Sequence, residues 1–135
     1  MIERNLYFAY GANMHPGQMS WRCPNALASK AFVLRDWELK FYSHATIEPR
    51  RGAEVAGVLW EITEDCELSL DAFEGYPSYY TKRFWIQDDT QFFFYEMTSP
   101  KSGRPSQGYV LDIAESYAFW QLPQTLLAES LHDPA

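Results

Sequence analysis

The sequence predicts a mixed α+β fold, made mostly of strands and carrying two helices. Short apolar runs, several alternating with period two, recur along the chain and read as strands. Two segments, Thr63 to Gly75 and Ser106 to Gln121, instead space their apolar residues as helices do. With so few helical segments between strands, there are not enough crossovers for a doubly wound parallel sheet.

Taken in order, Leu6 to Tyr10 is apolar on both faces, which suits a strand buried on two sides. It stops at Gly11, and Asn13 to Pro24 reads as a loop or short helical turn. Residues 30 to 42 include Trp37-Glu38-Leu39-Lys40-Phe41, the alternation of a half-buried strand. Ala45 to Ile47 and Val55 to Ile62 are two further strands, divided by the turn-prone Pro49-Arg50-Arg51-Gly52. Thr63 can cap the free N–H groups of a helix, and Glu64, Asp65 and Glu67 suit its positive end. Cys66, Leu70 and Phe73 share one face of it, and Gly75 with Pro77 beyond forms its stop. Tyr79 to Ile86 and Gln91 to Met97 make a hairpin around Asp88-Asp89. In the last helix Tyr109, Ile113, Tyr117 and Trp120 recur at helical spacing, and Pro123 ends it.

Composition bounds the function classes. A chain of 135 residues, 47% of them apolar, reads as one globular domain spanning residues 1–135 with a single core. The aromatic share of 17% exceeds the needs of a small core, so some rings are expected to line a concave site. The net charge of −7 argues against nucleic acid, since the basic pairs Arg50-Arg51 and Lys82-Arg83 make no phosphate track. No apolar run is long enough to span a bilayer, and the short stretch after Glu3, Arg4 and Asn5 is too brief for a signal-peptide core. Cys23 and Cys66 are two isolated thiols that make no disulfide framework and no C-x-x-C pair, so a reducing cytoplasm is the expected location.

Two segments carry candidate chemistry. Tyr10-Gly11-Ala12-Asn13 ends a strand in a corner that can aim several backbone N–H groups at one point, an anion-binding nest. Read blandly, it is an ordinary strand-ending turn; no P-loop motif follows it. Glu74 stands in the last helical turn among Phe73, Tyr76, Tyr79 and Tyr80. Burial, the negative helix end and Asp71 three residues back would each raise its pKa, as a group that accepts and returns a proton requires. A solvated helix-end glutamate is the bland alternative. Tyr80, Tyr95 and Tyr109 are either hydroxyl handles of a pocket or half-buried core tyrosines. His15, His44 and His132 lack metal-ligand spacing, no G-x-S-x-G elbow occurs, and Cys23 has no recognisable histidine partner.

Together these segments resemble the γ-glutamylcyclotransferase superfamily, whose members open with a strand leading into Y-G-S-N and later carry L-D-x-x-E-G. Here the motifs read Tyr10-Gly11-Ala12-Asn13 and Leu70-Asp71-Ala72-Phe73-Glu74-Gly75. Ala45-Thr46-Ile47 with Val55-Ala56-Gly57-Val58-Leu59-Trp60, then Tyr95-Glu96-Met97, Pro105-Ser106-Gln107-Gly108-Tyr109 and Leu122-Pro123, extend the match over residues 5 to 123. The resemblance implies a small mixed β-barrel flanked by helices. It also implies a lactam-forming acyl transfer without cofactor or metal, in which the α-amine of a γ-glutamyl amide attacks its own γ-carbonyl and releases 5-oxoproline. Glu74 would be the general base and acid. Backbone N–H groups of Gly11, Ala12, Asn13 and Met14 would hold the glutamyl moiety, and Tyr7, Tyr10, Tyr80 and Tyr95 would complete the substrate site. Two departures stand out: Ala12 replaces the usual serine, and Ala114-Glu115-Ser116-Tyr117 lacks a common glycine. The expected partner is a small γ-glutamyl compound, such as an amine, amino acid or protected metabolite, with no nucleic acid and no membrane. The alternative is a non-catalytic module that binds a small acidic metabolite on the same fold.

Overall fold

The computed structural model describes residues 4–101 and 103–132. Glu3 and the side chain of His132, which entered the reading above, lie outside them. The first strand, β1 (Asn5–Ala9), is followed by a 3-10 turn over Ala12–Met14 and a seven-residue helix, α1 (Pro16–Arg22). A long antiparallel pair follows, β2 (Leu27–Phe41) and β3 (Ala45–Ile62), then α2 (Glu64–Glu74). The hairpin β4 (Tyr80–Gln87) and β5 (Thr90–Met97) leads into α3 (Gln107–Phe119) and α4 (Gln124–His132).

The five strands form one sheet in the order β2-β3-β1-β5-β4. β1 runs antiparallel to β3 and parallel to β5, so the sheet is mixed and β1 lies at its centre. Tyr7, Phe8, Ala9 and Tyr10 are all buried, as a strand covered on both faces requires. The sheet curls until its outer strands meet. Gln87 at the end of β4 accepts from the Arg35 N–H (2.9 Å) and donates to the Val33 carbonyl (2.9 Å) of β2. Inside this barrel-like curl Phe8, Phe32 and Phe92 make edge-on or tilted ring contacts, and Trp37 meets Phe94.

Local signals account for most element ends. The Thr63 hydroxyl accepts from the Cys66 N–H and starts α2. Gly75, at φ 66°, ends it: its N–H bonds the Ala72 carbonyl while that of Tyr76 reaches Asp71, a Schellman closure. Asp88 and Asp89 both take positive φ (50° and 65°), the turn chemistry of a tight hairpin.

Three expectations need correction. Pro49 to Gly52 does not divide two strands; β3 runs through it, with an irregularity opposite Asp36. Asp36 adopts a left-handed φ of 67°, and its carboxylate accepts from the Gly52 N–H at 2.9 Å. That bond lets the extra residues bulge without breaking the ladder. There are also four helices rather than two among the described residues. Pro16 stands at the first position of α1, in a stretch read as a loop or short helical turn; α3 already ends at Phe119, and Pro123, read as its stop, directly precedes α4. Its Leu127 joins the core. On α2, finally, Cys66 and Leu70 are buried but Phe73 is half exposed.

A further correction concerns the cysteines. Cys23, which caps the end of α1, is disulfide-bonded to Cys66 on α2, 43 positions away. The sequence distance hides that the two helices lie side by side. Among the described residues, no helix is long and apolar enough to cross a membrane.

Gly57 marks the tightest point of the sheet. A Cβ there would lie 2.4 Å from the Ala9 carbonyl and 2.6 Å from the Phe8 ring, both part of β1. Gly57→Ala is expected to lose about 3 kcal/mol in urea unfolding, because the backbone of β1 has nowhere to move. Thiol titration of the denatured, unreduced protein should find no free thiol, and Cys66→Ser should lower stability by about 2–4 kcal/mol.

Candidate active site

The end of β1 opens into a cavity of about 220 Å³. β1 contributes Tyr7, Tyr10 follows directly after it, and the turn beyond adds Gly11, Ala12 and Asn13. The C-terminus of α2 supplies Phe73 and Glu74, while β4 and β5 supply Tyr80 and Tyr95. Tyr109 of α3 enters from one side, and His44, Ala45 and Tyr79 form the rest of the wall.

The 3-10 turn, with Gly11 before it, lines this space. Its own bonds run from the Met14 N–H to the Gly11 carbonyl (3.1 Å) and from His15 to Ala12 (3.2 Å). Among the described residues, no backbone carbonyl outside regular elements accepts from the N–H groups of Gly11, Ala12 or Asn13. Gly11 lies directly beneath the Tyr109 hydroxyl, which would stand 3.4 Å from a Cβ at that position.

The same turn also holds Glu74. Asn13, buried with 3% exposure, donates through Nδ2 to Glu74 Oε1 (3.3 Å) and to the Tyr7 hydroxyl (3.1 Å). Its Oδ1 accepts from Arg22 Nη1 at 2.9 Å. Burial raises the Glu74 carboxyl from 4.5 to about 7, against the pull of the Arg22 guanidinium. A carboxyl poised there is present in both protonation states near neutrality. Asp71 has no part in the rise. It turns away, accepting from the Tyr95 hydroxyl (2.6 Å) and pairing with Lys82 (3.0 Å), which also pairs with Glu67.

The tyrosines surround this carboxyl with fixed hydroxyls. Tyr10 donates to the Tyr95 carbonyl and Tyr80 to the Ala45 carbonyl, each at 2.6 Å. The Tyr109 hydroxyl accepts from the Ala45 N–H at 3.0 Å. Burial, chiefly, pushes Tyr7, Tyr10, Tyr80 and Tyr95 well above the ordinary tyrosine range, and Tyr109 to about 12. All five stay neutral while Glu74 titrates.

Of the nine residues to which the resemblance gives a site role, the structure brings eight to this cavity: Glu74, Tyr7, Tyr10, Gly11, Ala12, Asn13, Tyr80 and Tyr95. Met14 is the exception. It is fully buried, its N–H is used within the turn, and its carbonyl accepts from Trp120 Nε1 at 2.8 Å. His44, Phe73 and Tyr79 also face the cavity, and Arg22 stands behind Asn13. Pairing Arg22 with Glu74 required knowing that α1 is a helix beside the end of α2. No group of three or more His, Cys, Asp or Glu among the described residues is arranged to hold a metal ion.

The sequence profile of the family Gamma-glutamyl cyclotransferase, AIG2-like, matches residues 7–117. The chain belongs to this family. The Gamma-glutamylcyclotransferases of Bos taurus and Homo sapiens are each 34% identical over 88 residues, which cover 56% of this chain and 47% of theirs. The aligned part thus spans about half the length of those curated relatives. A solved Gamma-glutamyl cyclotransferase structure superposes with a TM-score of 0.85 at 28% identity, covering 98% of this chain and 90% of that one. The mixed five-stranded sheet with its helices is therefore the fold of that enzyme.

A buried carboxyl raised in the folded state links stability to pH. Between 4.5 and about 7 the native protein holds a proton on Glu74 that the unfolded chain releases. The contribution of Glu74 to stability is therefore full below about pH 4.5 and is lost as pH rises through about 7. In urea titrations at several pH values, Glu74→Gln should gain on wild type across this window, and a constant difference would contradict the burial of the carboxyl.

Proposed function

We propose that this protein is a γ-glutamylcyclotransferase-type enzyme that converts a γ-glutamyl amide or γ-glutamyl amino acid to 5-oxoproline and the free amine. The observation that carries this reading is Glu74, a carboxyl at about 7 in a tyrosine-walled cavity that the turn Gly11 to Asn13 also lines. In the proposed reaction the ionised carboxylate takes a proton from the substrate α-ammonium group. The freed amine attacks the γ-carbonyl carbon, and the five-membered ring closes. As the bond from that carbon to the leaving nitrogen breaks, Glu74 returns the proton to the departing amine. The remaining surplus proton on the ring nitrogen also leaves with the amine, which departs as an ammonium ion.

The backbone N–H groups of Gly11, Ala12 and Asn13 would hold the glutamyl moiety through its oxygens. Tyr7, Tyr10, Tyr80 and Tyr95 would shape its pocket. Ala12 keeps the backbone donor of the usual serine and lacks only its hydroxyl. Nucleophile and electrophile belong to one molecule, so the site has to fold the substrate rather than gather two. The cavity of about 220 Å³ falls below the roughly 300–1,000 Å³ that accommodates drug-sized ligands. That size favours a glutamyl group inside with the leaving amine toward the mouth.

A panel of γ-glutamyl amides and γ-glutamyl amino acids, followed by release of 5-oxoproline, tests the reading. Wild type should turn over at least one member, with kcat/KM falling below about pH 7 as Glu74 takes up its proton. Glu74→Gln should bind the same compound and lose about 100-fold or more in kcat. Equal yields from the two proteins would remove Glu74 from the mechanism. Binding of γ-glutamyl compounds by wild type without any 5-oxoproline would mean a binding module instead.

A further inference from the structure

Behind the cavity runs a chain of contacts that the proposed reaction does not use. Arg22 is the last residue of α1, and its Nη1 donates to Asn13 Oδ1 (2.9 Å) and to Gln18 Oε1 (3.2 Å). Its guanidinium carbon lies 3.6 Å from the centroid of the Phe73 ring, next to Glu74 on α2. Asn13 passes the contact on, through Nδ2, to Tyr7 and Glu74.

An amide side chain can turn over, exchanging its oxygen for its NH2 group. A guanidinium offers donors only and accepts nothing. Against Arg22, therefore, only the oxygen of Asn13 can face α1, and its NH2 group must face the cavity. Turned over, Asn13 would set NH2 against guanidinium and oxygen against carboxylate, losing its bonds to Arg22 and to the ionised Glu74, while the Tyr7 hydroxyl could reverse its role and donate. Arg22 thus selects the one orientation in which Asn13 is a donor to Glu74.

We propose that Arg22 is a positioning residue for this site: through Asn13 it fixes the hydrogen bond that Glu74 receives, and with its charge it keeps the ionised carboxylate accessible. The proposal rests on the reading of Glu74 as proton carrier only for its consequence in catalysis; the positioning itself rests on the contacts. Arg22 is the charged side chain acting on the buried Glu74 carboxyl, and its pull opposes burial there. The other groups that face it are Tyr7 of β1, Tyr10 just beyond it, Tyr80 of β4, Tyr95 of β5 and Tyr109 of α3, all of which stay neutral. His44 lines the same cavity, and Asp71 on the same helix is occupied by Lys82 and Tyr95.

The test has two arms, on wild type, Arg22→Met and Arg22→Lys, each checked for folding by circular dichroism and urea unfolding. In the first, the Glu74 carboxyl is titrated by carbon-detected NMR, assigned by its disappearance in Glu74→Gln. Arg22→Met should raise that titration by about one unit or more, and Arg22→Lys, which keeps the charge without the fork, by less. A folded Arg22→Met with the wild-type titration overturns the proposal. If Arg22→Met does not fold, Arg22→Lys decides: an upward shift supports positioning, and an unchanged titration overturns it. In the second arm, the pH profile of 5-oxoproline release is compared with a substrate that wild type turns over. The acid limb should move upward in Arg22→Met with kcat changed more than KM. An unmoved limb beside a shifted NMR titration would remove Glu74 from the rate-limiting proton transfer and leave the positioning intact. If no substrate is turned over, the NMR arm alone decides the role of Arg22.

Discussion

The centre of the sheet is the constraint on which the rest of the molecule depends. β1 is bonded on both sides, antiparallel to β3 and parallel to β5, and its residues Tyr7 to Ala9, with Tyr10 after them, are buried. At Gly57, β3 comes so close to β1 that no side chain fits between them. A strand clamped in this way has one end whose position is set by the whole sheet. The turn Gly11 to Asn13 leaves from that end, so its backbone donors inherit the rigidity of the sheet rather than the mobility of a loop.

The second wall of the site has a different origin. Glu74 is presented by the last turn of α2, a helix started by the Thr63 cap and stopped by Gly75. Long-range contacts hold that helix to the rest, among them the disulfide to the end of α1, the Asp71 contacts with Lys82 and Tyr95, and the Arg22 guanidinium over Phe73. Burial of the carboxyl is unfavourable for the fold once it ionises, and these contacts offset it. A raised carboxyl persists because its neighbours are neutral tyrosines and a single, partly compensating cation. Activity of the kind proposed would draw on the same imbalance, since a fully compensated carboxylate would be too weak a base.

The division between local and distant causes explains which features were legible beforehand. α2, the Asp88-Asp89 hairpin and the alternation of Trp37, Leu39 and Phe41 were readable, since cap, turn and period are all written within a few residues. The bulge at Pro49 to Gly52 was read as a break because its repair comes from Asp36, on the partner strand. α1 and α4 are short, and a proline beside each looked like an interruption when it marks a start. Asp71 lies three residues before Glu74, which suggested repulsion; Lys82 and Tyr95, distant in sequence, turn it elsewhere.

By itself the sequence determined the α+β class, the ends of α2, the family, and the two segments that converge on the cavity. Those depend on short-range stereochemistry and on motif order, which a linear reading contains. The tertiary structure alone decided that Cys23 meets Cys66, that Met14 turns into the core, and that Arg22 reaches Asn13 behind Glu74. Each of these is a meeting of side chains from separate elements. It exists only once the curled sheet has brought the end of β1, the end of α1 and the end of α2 to one place.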